Sequence, residues 1–154
     1  FKGITEAVYS VADGQAVSIT EVKDPVFAQK MMGDGYAVEP VNGNVYAPVS
    51  GTVTSVFPTK HAVGILSDQG VEVLVHVGLD TVALNGAPFS TKVADGQHVQ
   101  AGDLLLVADL DAIRSADRET TIVVAFTNSA EIKSVSLVNL RQVSKDSQVA
   151  IVEL

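Results

Sequence analysis

Short apolar-rich segments alternate with turn signals along the chain, and their spacing predicts strands. Strands are expected at Gln15–Glu21, Tyr36–Pro40, Asn44–Ala47, Gly51–Phe57, Ala62–Ser67, Val71–Val77, His98–Gln100, Asp103–Asp109, Thr121–Phe126 and Gln148–Glu153. Between them lie Asp13-Gly14, Gly33-Asp34-Gly35, Asn42-Gly43-Asn44, Asp68-Gln69-Gly70, Asp95-Gly96 and Ala101-Gly102-Asp103, dipeptides and tripeptides suited to tight turns. Many short strands at this spacing predict an all-β sandwich or barrel. Helical signals are sparse: a turn or two in Asp109–Arg118, capped by Asp109 or Asp111, and a shorter piece in Pro25–Met32.

One segment breaks the usual alternation of a half-buried strand. In Val71-Glu72-Val73-Leu74-Val75-His76-Val77 both faces are largely apolar, yet the run contains an ionisable imidazole followed at once by Gly78-Leu79-Asp80. A second feature is an internal echo. Val11-Ala12-Asp13-Gly14-Gln15-Ala16-Val17 recurs as Val93-Ala94-Asp95-Gly96-Gln97-His98-Val99, identical at six of seven positions. A turn-then-strand signature used twice accounts for it without a structural repeat. No linker or low-complexity tract interrupts the chain, so residues 1–154 are expected to form a single domain.

Composition narrows the chemistry. Hydrophobic residues make up 47% of the chain but aromatics only 5%, with no Trp, so the core must be built from Val, Ile, Leu and Ala. The net charge is −8, from 18 acidic and 10 basic residues, with no cluster of Lys and Arg. That argues against nucleic acid and anionic lipid as partners and favours a basic protein. Without cysteine there is no disulfide framework. The longest apolar runs, Leu104–Ala108 and Ile122–Phe126, fall far short of the ~20 residues that span a bilayer. The start at Phe1 without a Met, and with no signal peptide, suggests a domain excised from a longer chain.

Three histidines are present. His98, just after a turn and without a companion motif, is expected to be structural. His61 and His76 are separated by the turn Asp68-Gln69-Gly70. If Ala62–Ser67 and Val71–Val77 pair as a hairpin, the ends carrying the two imidazoles approach, since adjacent strands lie ~4.8 Å apart. Alternation leaves open whether they share a face. Two close imidazoles suit metal binding, general acid–base hydrolysis or covalent phosphoryl transfer. Neither His-x-His nor His-Glu-x-x-His spacing occurs, so no metal is expected. For phosphoryl transfer the nucleophilic ring must be neutral, with one nitrogen free and the other donating to a fixed acceptor. A carbonyl just beyond the histidine, as at Gly78, can be that acceptor. The second imidazole can then stabilise the phosphoryl oxygens.

The stretch Gly70-x-x-Val73-Leu74-Val75-His76-Val77-Gly78-Leu79-x-Thr81-x-Ala83 resembles the phosphorylation signature of the glucose-type IIA domains of the bacterial phosphoenolpyruvate-dependent sugar phosphotransferase system. Further blocks agree in order: 25–35 from Pro25 to Gly35, Ala47-Pro48-Val49-Ser50-Gly51-Thr52-Val53, Thr59-Lys60-His61-Ala62, and Gly96-Gln97-x-Val99-x-x-Gly102-Asp103. Many members of that family have Asn where this chain has Lys60. The resemblance implies an antiparallel β-sandwich with Greek-key and jelly-roll features and one or two short helices.

It also implies a phosphocarrier role without a cofactor. A phosphorylated histidine carrier protein would donate its phosphoryl group to His76 through Nε2, with Nδ1–H held by the Gly78 carbonyl. His61 would stabilise the group, and Thr59 would fix the tautomer of His61. A cysteine on a IIB domain, in the same chain as a IIC domain or not, would receive the phosphoryl group during sugar uptake. Asp24 and Asp80 match rim aspartates that meet cations of the carrier, and Val26, Phe27, Met32, Phe57, Leu74 and Val82 match an apolar docking ring. The domain would sit in the cytoplasm, free or tethered to the inner membrane face through fused domains.

Two other functions fit parts of the chain. A IIA-like domain appended to a sugar symporter would carry the same motif and use phosphorylation to regulate transport. A biotinyl or lipoyl carrier shares the rhythm of Gly96–Leu105, but it needs a modifiable lysine at a hairpin tip, and Lys30-Met31 is the one Lys-Met pair. A zinc peptidase of related architecture is disfavoured by the missing His-x-His.

Overall fold

The central strands are apolar on both faces because two separate cores bury them, as shown by the structure, a computed structural model that describes residues 4–154. In chain order the strands are β1 (Thr5–Tyr9), β2 (Gly14–Ser18), β3 (Asp34–Pro40), β4 (Asn44–Tyr46), β5 (Gly51–Val56), β6 (Ala62–Ser67) and β7 (Glu72–Val77). They continue with β8 (Phe89–Thr91), β9 (His98–Val99), β10 (Leu104–Ala108), β11 (Ile122–Phe126), β12 (Ser134–Leu137), β13 (Gln142–Val143) and β14 (Gln148–Glu153). The pairings are antiparallel, and the strands group into a large sheet, β13-β2-β3-β11-β7-β6-β5-β9, and two smaller ones, β1-β14-β12 and β4-β10-β8. The antiparallel sandwich with short helices expected from the sequence is what forms.

The main core lies on one face of the large sheet, where Val73, Val75 and Val77 of β7 join Ile122, Val124 and Phe126 of β11. The opposite face carries a smaller cluster of Ile19, Val22, Phe27, Ala37, Leu79, Val123 and Ala125. Its roof is the segment after β2. There a 3-10 turn (Ile19–Glu21), with the Ser18 hydroxyl accepting from the Thr20 amide, leads to α1 (Pro25–Ala28). Asp24 caps α1, its Oδ1 accepting from the Val26 amide at 2.9 Å, and Pro25 presets the first helical φ. The strand expected to run to Glu21 therefore stops at Ser18.

The cap expected at Asp109 is also present: its carboxylate accepts from the Ala112 amide at 3.1 Å and starts α2 (Leu110–Ser115). Both copies of the internal echo run from a turn into a strand, β2 and β9, but the two aspartates hold different groups. Asp13 accepts from the Asn42 side chain and the Lys145 amide, Asp95 from the Val56 amide.

Strands β1, β8, β12 and β13 lie outside the sequence expectation. In β1 the inward positions are Glu6 and Val8, so a carboxylate stands where the apolar alternation should show. Pairing with β14, Glu6 opposite Val152, makes this segment a strand. Glu6 is buried; one carboxylate oxygen accepts from Gln69 at 3.2 Å, and the other, among the described side chains, is a buried oxygen without a partner. Burial raises its pKa above the ordinary carboxylate value against the opposing pull of the Ser67 and Gln69 side chains, and Asp68 adds a smaller rise. A folded-state value above the unfolded one makes ionised Glu6 a liability that vanishes as pH falls into the carboxylate range. Glu6→Gln should accordingly raise the urea midpoint at neutral pH. The gain should shrink toward pH 4.5, the ordinary value for a glutamate, and a pH-independent gain would contradict this origin.

Candidate functional site

The register of the large sheet places Val17, Ala37, Val123, His76 and Ala62 in one row of directly opposed residues across β2, β3, β11, β7 and β6. Opposed residues share a face, so His76 belongs to the face of the smaller cluster. The row is apolar up to His76 and then meets only the methyl of Ala62, and its neighbour in β6 two residues on is Gly64.

His61 precedes Ala62, and strict alternation would send it to the opposite face from His76. The chain avoids that outcome by leaving the strand. The Lys60 amide bonds to the Phe57 carbonyl at 2.7 Å, and Lys60 adopts a left-handed backbone with φ 59°. The His61 carbonyl still accepts from the Val77 amide at 2.7 Å, yet its ring swings over to His76. The ring centroids are 4.9 Å apart and nearly perpendicular, at 82°. The left-handed region favours Asn among non-glycine residues, so Lys60 adopts it as an uncommon residue there.

Each ring is held at Nδ1. His76 Nδ1 lies 2.8 Å from the Gly78 carbonyl oxygen. A carbonyl can only accept, so Nδ1 carries the proton and a neutral ring has its lone pair on Nε2. His61 Nδ1 lies 2.7 Å from Thr59 Oγ1, a contact in which either atom can donate. Phe27 packs its ring 5.0 Å from that of His76, and Phe57 sits edge-on to His61 at 5.6 Å. This apolar setting lowers both histidine pKa values. His76 falls from 6.5 to about 4, chiefly by burial and then by the charge of His61, against the opposing pull of the Gly78 carbonyl and the Asp24 carboxylate. His61 falls by burial alone.

Apart from Thr59 and Gly78, which bond to the two rings, every residue expected in the site lines one cleft of about 330 Å³. Val26, Met32, Phe57 and Val82 are exposed at its rim, and Leu74 is half-buried. Phe27 differs from the docking role expected of it. Only 5% exposed, it is the keystone of the smaller core and supports His76 from the side. Asp24 is tied up in part by capping α1. Asp80 has φ 58° and carries an ion pair that sequence reasoning missed, Arg118 Nε to its Oδ2 at 3.5 Å. Arg118 is 38 positions away, and no local signal marks it.

His98 pairs with Asp68 at 3.0 Å on an exposed strand, as a structural residue would. Lys30 follows α1 with its Nζ 3.6 Å from Asp34 and is not at a hairpin tip, which removes the biotinyl or lipoyl reading. Among the described residues no group of three or more His, Cys, Asp or Glu is placed to hold a metal ion.

Comparison with known proteins follows the same direction. Residues 6–132 match the family described as phosphoenolpyruvate-dependent sugar phosphotransferase system, EIIA 1. The chain is 65% identical over 154 residues to the glucose-specific EIICBA component of the phosphotransferase system of Streptococcus pneumoniae serotype 4. It spans all of this chain but 21% of that relative's length. Among solved structures, glucose permease IIA from Mycoplasma capricolum superposes with a TM-score of 0.87 at 37% identity, covering 97% of this chain and 96% of that one.

The depressed histidine values set a pH dependence. Between 6.5 and about 4 the unfolded chain takes up a proton at residue 76 and the folded chain does not, so stability should decline as pH falls through that window. Ring titration by NMR should give His76 a midpoint near 4, and His61→Gln should move it upward by removing one depressing charge. A midpoint at the ordinary histidine value in the unaltered protein would contradict the burial seen here.

Proposed function

Because the chain belongs to the EIIA 1 family of the phosphoenolpyruvate-dependent sugar phosphotransferase system, we propose that it is a IIA phosphocarrier domain that takes a phosphoryl group on His76. The observation that carries this reading is a neutral imidazole whose Nδ1–H is committed to the Gly78 carbonyl, leaving Nε2 as a nucleophile in a cleft shared with a second imidazole. The donor is a histidine carrier protein. Its N–P bond breaks as a bond forms between phosphorus and His76 Nε2, and in the second step that bond breaks in favour of a cysteine sulfur on a IIB domain. The lowered pKa supports the scheme, since the attacking ring must be unprotonated at neutral pH.

His61 stabilises the charge on the phosphoryl oxygens during both steps. With Thr59 donating to its Nδ1, a neutral His61 carries its proton on Nε2, available to those oxygens. In a cleft walled by Phe27 and Phe57 such a donor is worth more than in water. The exposed Val26, Met32, Phe57 and Val82 form the docking ring, and Asp24 and Asp80 attract cationic side chains of the carrier.

The EIICBA composition of the Streptococcus relative supports a IIB domain as recipient and a sugar of the glucose type as cargo, in preference to regulation of a symporter. It also supports a single IIA unit tethered through a longer chain on the cytoplasmic side of the membrane. Among the described residues no helix is long and apolar enough to cross a bilayer.

Incubation with phosphoenolpyruvate, the first enzyme of the system and the carrier should add one phosphate by mass, labile to acid and stable to base. His76→Ala should take up none, and retained labelling there would exclude His76 as acceptor. His61→Gln should still be phosphorylated but pass the group to IIB about a hundredfold or more slowly, the loss expected for one stabilising donor at ~2.7–4 kcal/mol. Wild-type transfer by His61→Gln would reduce that residue to packing.

Docking separates into two rates. Asp80→Asn should slow association with the carrier, most at low ionic strength, because rim charges steer encounter and are screened by salt. Val82→Ser should mainly speed release, since it removes apolar area from the ring. Stopped-flow binding at two salt concentrations distinguishes them, and a salt-independent Asp80→Asn effect would count against steering.

A further inference from the structure

Thr81 belongs to the sequence motif around His76 but does not touch either imidazole in the site described above. It is completely buried, at the start of a 3-10 turn (Thr81–Leu84), and its hydroxyl donates to the Val77 carbonyl at 2.5 Å. Its methyl lies so close to Gly78 that a Cβ built there would stand 2.3 Å from it. Gly78 has φ 77°, and glycine permits the two peptide planes beside it to rotate at little cost.

Both planes are nevertheless held at both ends. The plane between Gly78 and Leu79 is fixed by the bond from His76 Nδ1 to the Gly78 carbonyl and by the Leu79 amide donating to the Glu119 carbonyl at 3.0 Å. The plane between Val77 and Gly78 is fixed by the Gly78 amide donating to the Thr121 carbonyl at 2.8 Å and by Thr81. Of the four ends, two rest on backbone carbonyls and one on His76 itself. The fourth rests on the Thr81 side chain. Outside the turn, Arg118 Nε donates to the Asp80 carbonyl at 3.2 Å and braces the same loop.

We propose that Thr81 is a positioning residue for phosphoryl transfer: its hydroxyl locks the turn from Val77 to Thr81 so that the Gly78 carbonyl always meets His76 Nδ1–H. Without that lock the glycine carbonyl turns away for part of the time, and the His76 proton moves between its two nitrogens. Every molecule with the proton on Nε2 has no lone pair there to attack phosphorus. The consequence for transfer rests on His76 being the acceptor; the effect on the ring tautomer does not.

The test reads the tautomer of unphosphorylated His76 from its ring nitrogen shifts at neutral pH, beside the rate of phosphoryl uptake. The unaltered protein should show Nδ1–H alone. Thr81→Val, which keeps the shape and removes the hydroxyl, should show a mixture and take up phosphate about twofold to tenfold more slowly, the range for one lost hydrogen bond. Thr81→Ser should restore the single tautomer. If Thr81→Val does not fold, Thr81→Ala and Thr81→Ser only remove atoms and carry the same comparison: a mixture in Ala with a single form in Ser supports the proposal. A single Nδ1–H tautomer in Val or Ala, or the same mixture in Ser, would overturn it. Failure of the unaltered protein to take up phosphate on His76 would strike the proposed function instead and leave the tautomer result standing.

Discussion

The bond from His76 Nδ1 to the Gly78 carbonyl is the interaction around which the site is organised. It decides which nitrogen carries the proton, and so which nitrogen faces the open cleft. It exists only because β7 ends in a left-handed glycine that turns the chain back on the imidazole two residues earlier. A residue with a Cβ at that position would run into Thr81 and come within 3.0 Å of the Glu119 carbonyl. The turn, the glycine and the segment from Glu119 to Thr121 that receives its amides therefore work as one unit.

Two-sided burial supplies the rest. β7 and β11 are central strands, covered on one face by the main core and on the other by the roof of Ile19, Val22 and Phe27. An imidazole on such a strand is cheaper to bury neutral than charged. This is why His76 keeps its lone pair at pH values where an exposed histidine is largely protonated. The ring of Phe27 makes the coupling concrete, since it fills the smaller core and touches the imidazole. Charge enters only at the edge, where Asp24 caps a helix and Asp80 leans on Arg118; both arrangements hold an aspartate beside the cleft while leaving the cleft floor apolar.

Much of this was legible because it is local. The hairpin of β6 and β7 follows from two apolar runs around Asp68-Gln69-Gly70, and the cap at Asp109 follows from an acidic residue just ahead of a helix start. The strands that escaped notice are those whose identity is conferred by a distant partner. β1 has a glutamate at an inward position and becomes a strand against β14 at the far end of the chain. β12 pairs with the other edge of β14 and shows serines on its outer face, with only half-buried Val135 and Leu137 to mark it. Arg118 reached the Asp80 loop through folding alone, and the burial of Phe27 could not be told from docking by its spacing.

By itself the amino-acid order determined an antiparallel β architecture, the turn that follows His76, and the pair of imidazoles that a hairpin must bring near one another, because each rests on φ preferences and alternation within a few residues. With Ala62 opposite His76, alternation would have placed the two rings on opposite faces of the sheet. Only the tertiary structure decided that they meet. The left-handed break at Lys60 frees His61 from the pleat, so its ring reaches His76. The roof over the second face then gives both imidazoles one largely apolar cleft to share. That outcome depends on which surfaces are left uncovered once the fourteen strands of the described residues have paired, a property that no single segment carries.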